Sequence, residues 1–141
     1  MYNIFLIPNT LGDTDINLVI PLQVQQIITN LRHFFVEDIR TARRYLRKID
    51  KTFPIDDSNF YEIGKRIKFH DIRNYFVNLK ADAGIISESG MPSIADPGAN
   101  IVSVAREKGF KIVPLTGPSS LFLALSASGM NGPVSYTHLT L

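Results

Sequence analysis

The stretch HFFVEDIRTARRYLRKI (residues 33–49) places a strand-like segment directly before a helical one. The opening HFFVE is rich in apolar and aromatic side chains, which is typical of a buried strand. In the segment behind it, apolar residues recur at helical intervals, at Ile39, Ala42, Leu46 and Ile49. The stretch therefore predicts one strand followed by one helix with a single apolar face.

The same pairing of strand and helix recurs along the chain. Four further strands are predicted at YNIFLI (2–7), NFYEI (59–63), GIIS (84–87) and FKIVPL (110–115). Their helical partners are INLVIPLQVQQIITNLR, interrupted at Pro21, then DIRNYFVNLKAD, DPGANIVSVAREKG and PSSLFLALSASG. Such alternation predicts an α/β fold with a doubly wound, mostly parallel five-stranded sheet and helices on both faces.

The composition narrows the classes of protein that the chain fits. Its 141 residues suit one domain, or one domain and the start of another, and 45% hydrophobic with 20% charged residues is ordinary for a globular fold. The net charge of +2 permits a nucleic-acid partner without indicating one. The absence of cysteine excludes disulfides, thiolate catalysis and cysteine-ligated zinc. His33 and His70 have no partners at metal-ligand spacing, so we expect no metal.

The hydropathy pattern predicts a protein that is neither exported nor inserted into a membrane. The apolar run NIFLIPNT is too short for the core of a signal peptide and follows no basic leader. Elsewhere no stretch approaches the ~20 apolar residues of a membrane span. We expect a cytoplasmic location.

Parallel α/β sheets bind ligands at the carboxyl ends of their strands, so the turns after the strands are the candidate site. Four turns are distinctive, and they follow the first, second, fourth and fifth strands: Pro8 to Asp13, Glu37-Asp38, Ser87 to Pro92, and Thr116 to Ser120. All four are expected along one edge of the sheet.

The turns after the fourth and fifth strands each allow two interpretations. In SESGMPSIADPG, Gly90 gives the backbone freedom to approach a ligand, while Pro92 and Pro97 stiffen the path; an ordinary connector capped by Asp96 is the alternative. TGPSS could present free N–H groups at a helix start, or simply cap that helix. The first turn, NTLGD, lacks the spacing of a dinucleotide fingerprint, and no Walker motif occurs.

Charged residues follow the second strand. Glu37, Asp38 and Arg40 could orient a substrate hydroxyl or accept its proton; alternatively, Asp38 caps the helix and Arg40 pairs with a nearby acid. Further basic residues cluster on one side of the same helix, namely Arg44, Arg47, Lys48 and Lys51. They could contact phosphates or form a solvated helix face.

Four motifs taken together resemble a known family. IPNTLGD, VEDIRTARRYL, SESGMPSIADPG and VPLTGPSS come in the order and spacing of the tetrapyrrole methylase superfamily, the class III S-adenosylmethionine-dependent methyltransferases. Within it, the chain resembles the branch of the 16S ribosomal RNA cytidine 2′-O-ribose methyltransferase, from Tyr2 to about Gly132. Each motif is weak alone, and four in register are specific.

This resemblance implies a two-domain enzyme, usually a homodimer, that binds S-adenosylmethionine between its domains and methylates ribosomal RNA. Carried over by position, the cofactor contacts are Leu11, Met91, Ile94, Ser119 and Ser120, with the turn Gly90-Met91-Pro92 along the cofactor. Glu37, Asp38 and Arg40 would face the substrate. Where the ribosomal RNA enzymes more often have D-A-G-T-P, this chain has Glu88 to Pro92, and its first turn is shorter, so the nucleotide that it methylates is left open.

The resemblance also predicts a domain division. Residues 1–116 would form the amino-terminal methylase domain, and residues 117–133 would form the first helix leading into a carboxyl-terminal domain that this chain lacks. Residues 134–141, VSYTHLTL, match a translated transposase sequencing adapter codon for codon, which suggests an artificial end; a short β-like tail native to the protein is the alternative. Such a fragment would bind S-adenosylmethionine weakly or not at all.

Three functions stay open from the sequence. The first is an S-adenosylmethionine-dependent ribosomal RNA methyltransferase, and the second is a methyltransferase for a small, tetrapyrrole-like molecule. The third, from a different class, is a non-catalytic nucleotide-binding or interaction domain. The motif set and the basic helix favour the first.

Overall fold

The computed structural model describes residues 1–9, 15–86 and 98–117. Within them the strands are β1 (Asn3–Ile7), β2 (His33–Val36), β3 (Asn59–Glu62), β4 (Ala83–Ile86) and β5 (Lys111–Pro114). The helices are α1 (Ile16–Val19), α2 (Leu22–Thr29), α3 (Ile39–Ile49), α4 (Phe69–Phe76) and α5 (Gly98–Glu107), and a 3₁₀ turn spans Ile55–Asp57. Strands and helices thus alternate as the sequence predicts, whereas the helix expected after β5 lies outside the described residues.

The five strands form one sheet in the order β3-β2-β4-β1-β5, and every neighbouring pair is parallel. The connections from β1 to β2 and from β2 to β3 run in one direction across the sheet, while those from β3 to β4 and from β4 to β5 run back. Because parallel crossovers are right-handed, a change of direction puts the connecting helices on the opposite face. The predicted doubly wound α/β class is confirmed.

Local chemistry explains where α2 and α3 begin. Pro21 cannot donate to the preceding helix, so α1 ends before it and α2 starts immediately after it. At α3 the Asp38 Oδ1 atom accepts hydrogen bonds from the backbone N–H of Arg40 (2.8 Å) and of Thr41 (3.4 Å). These contacts satisfy donors that the first helical turn leaves without partners.

The ends of α4 and α5 are also set locally. The α4 helix starts at Phe69, two residues before the predicted segment, because the Lys68 N–H donates to Asp71 Oδ2 (3.4 Å). After α5, Gly109 adopts a positive φ of 84°, and the Phe110 N–H donates to the Ala105 carbonyl (2.9 Å). This is the glycine-terminated helix end that returns the chain into β5.

Two apolar clusters cover the two faces of the sheet. The α1–α3 face combines these helices with strand residues such as Phe34, Val36 and Ile86, whereas the α4–α5 face combines the other two helices with Phe35 and Ile85. Adjacent strand residues point to opposite faces, which is why Phe34 and Phe35 are both 0% exposed but belong to different clusters. The strands are therefore buried on both sides, as parallel sheets require.

Candidate functional site

The carboxyl ends of the five strands lie at one level. Val36 pairs with both Glu62 and Ile86, Ile7 pairs with Ile86, and Leu6 pairs with Pro114. The turns that begin at Pro8, Glu37 and Leu115 therefore leave the same edge of the sheet, as predicted. Strand β4 also ends at this edge, at Ile86, whereas the turn that follows it lies outside the described residues.

Strands β2 and β3 send their following helices to opposite faces of the sheet, and a groove opens where they diverge. It has a volume of about 520 Å³ and is lined by Glu37, Glu62, Gly64, Arg66, Ile67, Asp71, Asn74 and Tyr75. The groove therefore lies at the carboxyl ends of the strands, the end at which such sheets bind ligands, one strand away from the point between β2 and β4 where the connections run in opposite directions. Glu37, predicted to act on the substrate, thus forms part of a groove wall.

The groove carries more carboxylates than cations. Glu37, Glu62 and Asp71 contribute three acidic side chains, and Arg66 contributes one guanidinium. The Tyr75 hydroxyl donates a hydrogen bond to the Glu62 carbonyl (2.9 Å). The pKa of Tyr75 is raised by its burial and then by the negative charges of Asp71 and Glu62. Such a wall can accept hydrogen bonds from hydroxyl and amino groups, and a carboxylate there can accept a proton.

The structure separates the three residues predicted to face the substrate. Glu37 lines the groove, Asp38 caps α3, and Arg40 lies exposed on the outer surface of that helix. The helix cap considered for Asp38 is therefore present. Within residues 1–9, 15–86 and 98–117, Arg40 forms no salt bridge, because the one found there joins Arg73 to Glu107 (2.9 Å).

A second set of contacts at this edge fixes the end of β1. The hydroxyl of the buried Tyr45, on α3, donates to the Pro8 carbonyl, and its burial raises the pKa of that phenol. On the β5 side, a Cβ added to Gly117 would stand 2.5 Å from the Pro8 Cγ atom. The turns after β1 and β5 therefore approach more closely than any residue other than glycine would allow.

Four residues at this edge are not among those predicted from the sequence: Tyr45, Glu62, Asp71 and Tyr75. Tyr45 lies on the apolar side of the α3 pattern, which predicts that it is buried. Because a buried tyrosine hydroxyl usually needs a hydrogen-bond acceptor, the sequence contained a signal for such a contact. For Glu62, the signal was its place as the last residue of β3, at the functional end of a strand. Asp71 and Tyr75 enter through the packing of α4, which the sequence does not give.

All of the predicted cofactor contacts lie outside the described residues, so they stay predictions. They are Leu11, Gly90, Met91, Pro92, Ile94, Ser119 and Ser120. The described strand ends that lead into these segments are those of β4, β1 and β5, which are neighbours in the sheet. The three strand ends that precede these segments therefore lie side by side.

A second pocket, of about 440 Å³, lies at the opposite end of the sheet. Its polar side chains are engaged in holding the fold: Asp82 Oδ1 accepts from the Asn3 N–H (2.7 Å), and Arg32 donates to the Thr29 and Leu31 carbonyls. His33 Nδ1 lies 2.8 Å from the Tyr61 hydroxyl, and burial lowers the pKa of His33. Because parallel sheets bind ligands at the other end, we do not assign a site here.

In the described part of the chain, no group of three or more histidine, aspartate or glutamate side chains could hold a metal ion. No helix among those residues is long and apolar enough to cross a membrane.

The fold and its edge define the class of the protein: a parallel, doubly wound α/β domain with a carboxylate-lined groove at the carboxyl ends of its strands. No protein-family model matches the chain. It is homologous, however, to proteins named ribosomal RNA small subunit methyltransferase I. The relative from Vibrio cholerae is 28% identical over 130 residues, which cover 90% of this chain and 42% of that protein.

Two further relatives carry the same name. The protein from Helicobacter pylori is 28% identical over 138 residues, covering 89% of this chain and 46% of the relative. The protein from Neisseria meningitidis serogroup B is 43% identical over 51 residues, covering 36% of this chain and 18% of the relative. The resemblance to this methyltransferase branch is confirmed, and the chain spans less than half the length of the relatives that it matches.

Proposed function

We propose that the protein carrying this chain transfers a methyl group from S-adenosylmethionine to ribosomal RNA, and that this chain supplies one wall of the site. The observation that carries the proposal is the similarity, over 90% of the chain, to a protein named ribosomal RNA small subunit methyltransferase I. The parallel sheet with its functional edge supports it. A tetrapyrrole-like substrate and a non-catalytic domain are outcomes of the test below.

The order of strands gives this wall two adjoining parts. The turns predicted to contact the cofactor follow β4, β1 and β5, while Glu37 follows β2, the next strand beyond β4. Neighbouring strands are about 4.8 Å apart, so a substrate hydroxyl over the β2–β4 boundary would reach both parts. The close contact of Pro8 with Gly117 and the bond from Tyr45 would hold the cofactor side rigid.

Methyl transfer needs an in-line approach and the removal of one proton. When bound, S-adenosylmethionine supplies an activated methyl group on a sulfonium. With the cofactor bound, Glu37 would accept the proton of the ribose 2′-hydroxyl while that oxygen takes the methyl group, and S-adenosylhomocysteine would be the co-product. Of the two carboxylates predicted for this role, Glu37 is favoured because it lines the groove, whereas Asp38 caps α3.

The test is tritiated methyl transfer from S-adenosylmethionine to small ribosomal subunits that lack the modification. The enzyme is the full-length gene product, obtained after sequencing the locus past the codon for Gly132. Label in RNA supports the proposal. Label in small molecules alone would favour a tetrapyrrole-like substrate, and absence of label would favour the non-catalytic domain.

Two isosteric variants assign the proton acceptor. Glu37→Gln is expected to lower kcat by about 10² or more, the usual range for loss of a general base. Asp38→Asn keeps a good helix cap, so it isolates the role of that carboxylate in turnover. Asp57→Asn, on the exposed 3₁₀ turn, serves as the control. Unchanged turnover in Glu37→Gln would rule Glu37 out, and a loss confined to Asp38→Asn would transfer the role to its neighbour.

We further propose that the full-length protein is a cytoplasmic homodimer, as the family resemblance implies. Light scattering coupled to size-exclusion chromatography would measure its mass in solution. A mass equal to one chain at micromolar concentration would contradict the dimer without affecting the proposed reaction.

A further inference from the structure

The outer face of α3 carries basic side chains and no acid. The sequence of the helix is IRTARRYLRKI, and Lys51 lies two residues after its last residue. We call the following six residues the basic ridge: Arg40, Arg43, Arg44, Arg47, Lys48 and Lys51. All six are exposed.

Helical geometry concentrates these charges on the side away from the sheet. At 100° per residue, Arg40, Arg44 and Arg47 lie within about 60° of one another on the helix circumference. The buried residues of the helix, Ala42, Tyr45 and Leu46, occupy the opposite side. The ridge is therefore a continuous strip about 16 Å long, the length of an 11-residue helix.

The contacts of the ridge compensate little of its charge. The pKa of Asp50 is lowered by hydrogen bonds from Thr52 and, to a smaller extent, by the positive charge of Arg47. The Arg43 guanidinium lies 5.7 Å from the centre of the Phe60 ring, and an Arg47 Nη1 donates to the Lys51 carbonyl (3.2 Å). Among the residues that the structure describes, no member of the ridge forms a salt bridge. Like charges four residues apart, as in Arg40 with Arg44, also destabilise a helix.

This arrangement opposes helix stability in a second way. Arg40 is in the first helical turn, where the macrodipole favours acidic side chains, and that turn contains none. By contrast, Arg47 and Lys48 are in the last turn, where the macrodipole favours cations. The mutual repulsion of the remaining like charges is what a polyanion bound to the strip would relieve.

We propose that the basic ridge binds the phosphate backbone of the RNA substrate; this inference rests on the proposed function. The α3 helix begins two residues after Glu37, so the ridge starts beside the groove and continues along the α1–α3 face. Arginine forks and lysine ammonium groups match phosphate oxygens in charge and geometry. Such contacts hold the RNA in position without reading its sequence.

A triple variant removes the centre of the ridge and leaves its first arginine in place. In Arg44→Gln/Arg47→Gln/Lys48→Gln, three cations are lost without introducing a new charge. The matched control is Lys80→Gln/Lys108→Gln/Lys111→Gln, which removes three exposed lysines near the amino ends of the strands. Both are made in the full-length gene product, and thermal unfolding checks that each folds.

Binding is measured by fluorescence anisotropy with a fluorescein-labelled stem–loop of small-subunit ribosomal RNA, titrated at several salt concentrations. The ridge variant is expected to bind the RNA at least about tenfold more weakly than the wild-type protein. The slope of log K against log salt concentration should decrease in magnitude by about 2–3. The control should keep the wild-type slope. S-adenosylmethionine affinity, measured by calorimetry, should be unchanged in both variants.

Two results would overturn the ridge proposal. One is an unchanged affinity and salt slope in the ridge variant, which would make the strip a solvated helix face. The other is a wild-type protein that ignores the RNA but binds phosphatidylserine vesicles through the ridge. If ridge-dependent RNA binding persists without any methyl transfer, the ridge proposal stands and the proposed reaction fails.

Discussion

The two faces of the sheet have similar apolar cores but handle surface charge and strand ends differently. On the α4–α5 face, Arg73 of α4 pairs with Glu107 of α5, so the two helices neutralise one another. On the α1–α3 face, the basic ridge forms no salt bridge within the described residues. One face thus has charges that are paired between its helices, whereas the other presents a row of like charges.

Both faces contain the same kind of hydrogen bond at a strand end, but the two bonds differ in burial. Each has a tyrosine that donates to a backbone carbonyl at a strand end: Tyr45 to Pro8 on the α1–α3 face, and Tyr75 to Glu62 on the other. Tyr45 is 3% exposed, whereas the bond made by Tyr75 is open to solvent. The end of β1, which leads into the predicted cofactor turn, is therefore held by the more deeply buried bond.

The largest expected effect tests whether the two cores are equivalent. Phe34→Ala and Phe35→Ala each remove a fully buried ring, from opposite faces, and each should lower the free energy of unfolding by about 3–5 kcal/mol. Urea denaturation measures both. Leu22→Ala, at a residue 67% exposed, is the control and should change little. A large difference between the two phenylalanine variants would show that one face dominates stability.

A smaller effect is expected where the β1 and β5 turns meet. Gly117→Ala places a Cβ against the rigid Pro8 ring, so the turns must move apart, at a cost of about 2–3 kcal/mol. Gly64→Ala, next to the groove, is the matched control because nothing lies within 4 Å of its added Cβ. Equal thermal midpoints for the two variants would mean that Pro8 and Gly117 are not in firm contact.

Tyr45→Phe and Tyr75→Phe compare the two strand-end bonds. Loss of the Tyr45 hydroxyl leaves a buried carbonyl without its donor and should lower the free energy of unfolding by about 1–2 kcal/mol. Tyr75→Phe should have a smaller effect, because water can replace its bond. Denaturant titration measures both, and a larger loss in Tyr75→Phe would reverse the proposed order.

The buried hydroxyl of Tyr45 predicts that stability depends on pH. Burial raises the pKa of Tyr45 above its ordinary value of 10.0, so its contribution to stability is complete below pH 10 and is lost as the pH rises further. The wild-type protein should lose stability above pH 10 more steeply than Tyr45→Phe. Parallel curves of unfolding free energy against pH would contradict the buried state of this phenol.

The smallest effect belongs to the salt bridge between Arg73 and Glu107. Both side chains are about half exposed, at 47% and 48%, so a double-mutant cycle with Arg73→Gln and Glu107→Gln should give a weak coupling that high salt abolishes. The hydrogen bond from Arg73 lowers the pKa of Glu107, so this contribution is present at neutral pH and is lost as the pH falls below about 4.5. A coupling that resists salt would indicate a stronger link between α4 and α5.

Much of the architecture was predictable because its signals are local. The α3 segment shows this: the strand HFFV, the Asp38 cap and the apolar spacing behind it are all encoded within 17 consecutive residues, 33–49. The position of Pro21 likewise gave the break between α1 and α2. Capping and periodicity depend on neighbouring residues, so a single sequence contains them.

The candidate site was only partly predictable because it is assembled from distant segments. Glu37, Asp38 and Arg40 were predicted to act together on the substrate. In the structure, Glu37 lines the groove, whereas its neighbour Asp38 caps the helix. The groove's other carboxylates come from β3 and α4. The residues predicted to bind the cofactor are assigned by family resemblance and not by the described structure.

The sequence by itself determined the succession of strands and helices, the parallel class and the one-sided distribution of charge along α3, since these depend on side-chain order over one or two turns. The tertiary structure alone decided the strand order, the meeting of Pro8 with Tyr45 and Gly117, and the groove that joins Glu37 to Glu62. Contacts between residues far apart in the chain depend on how the whole sheet assembles, because burial on both faces selects one packing of all its parts.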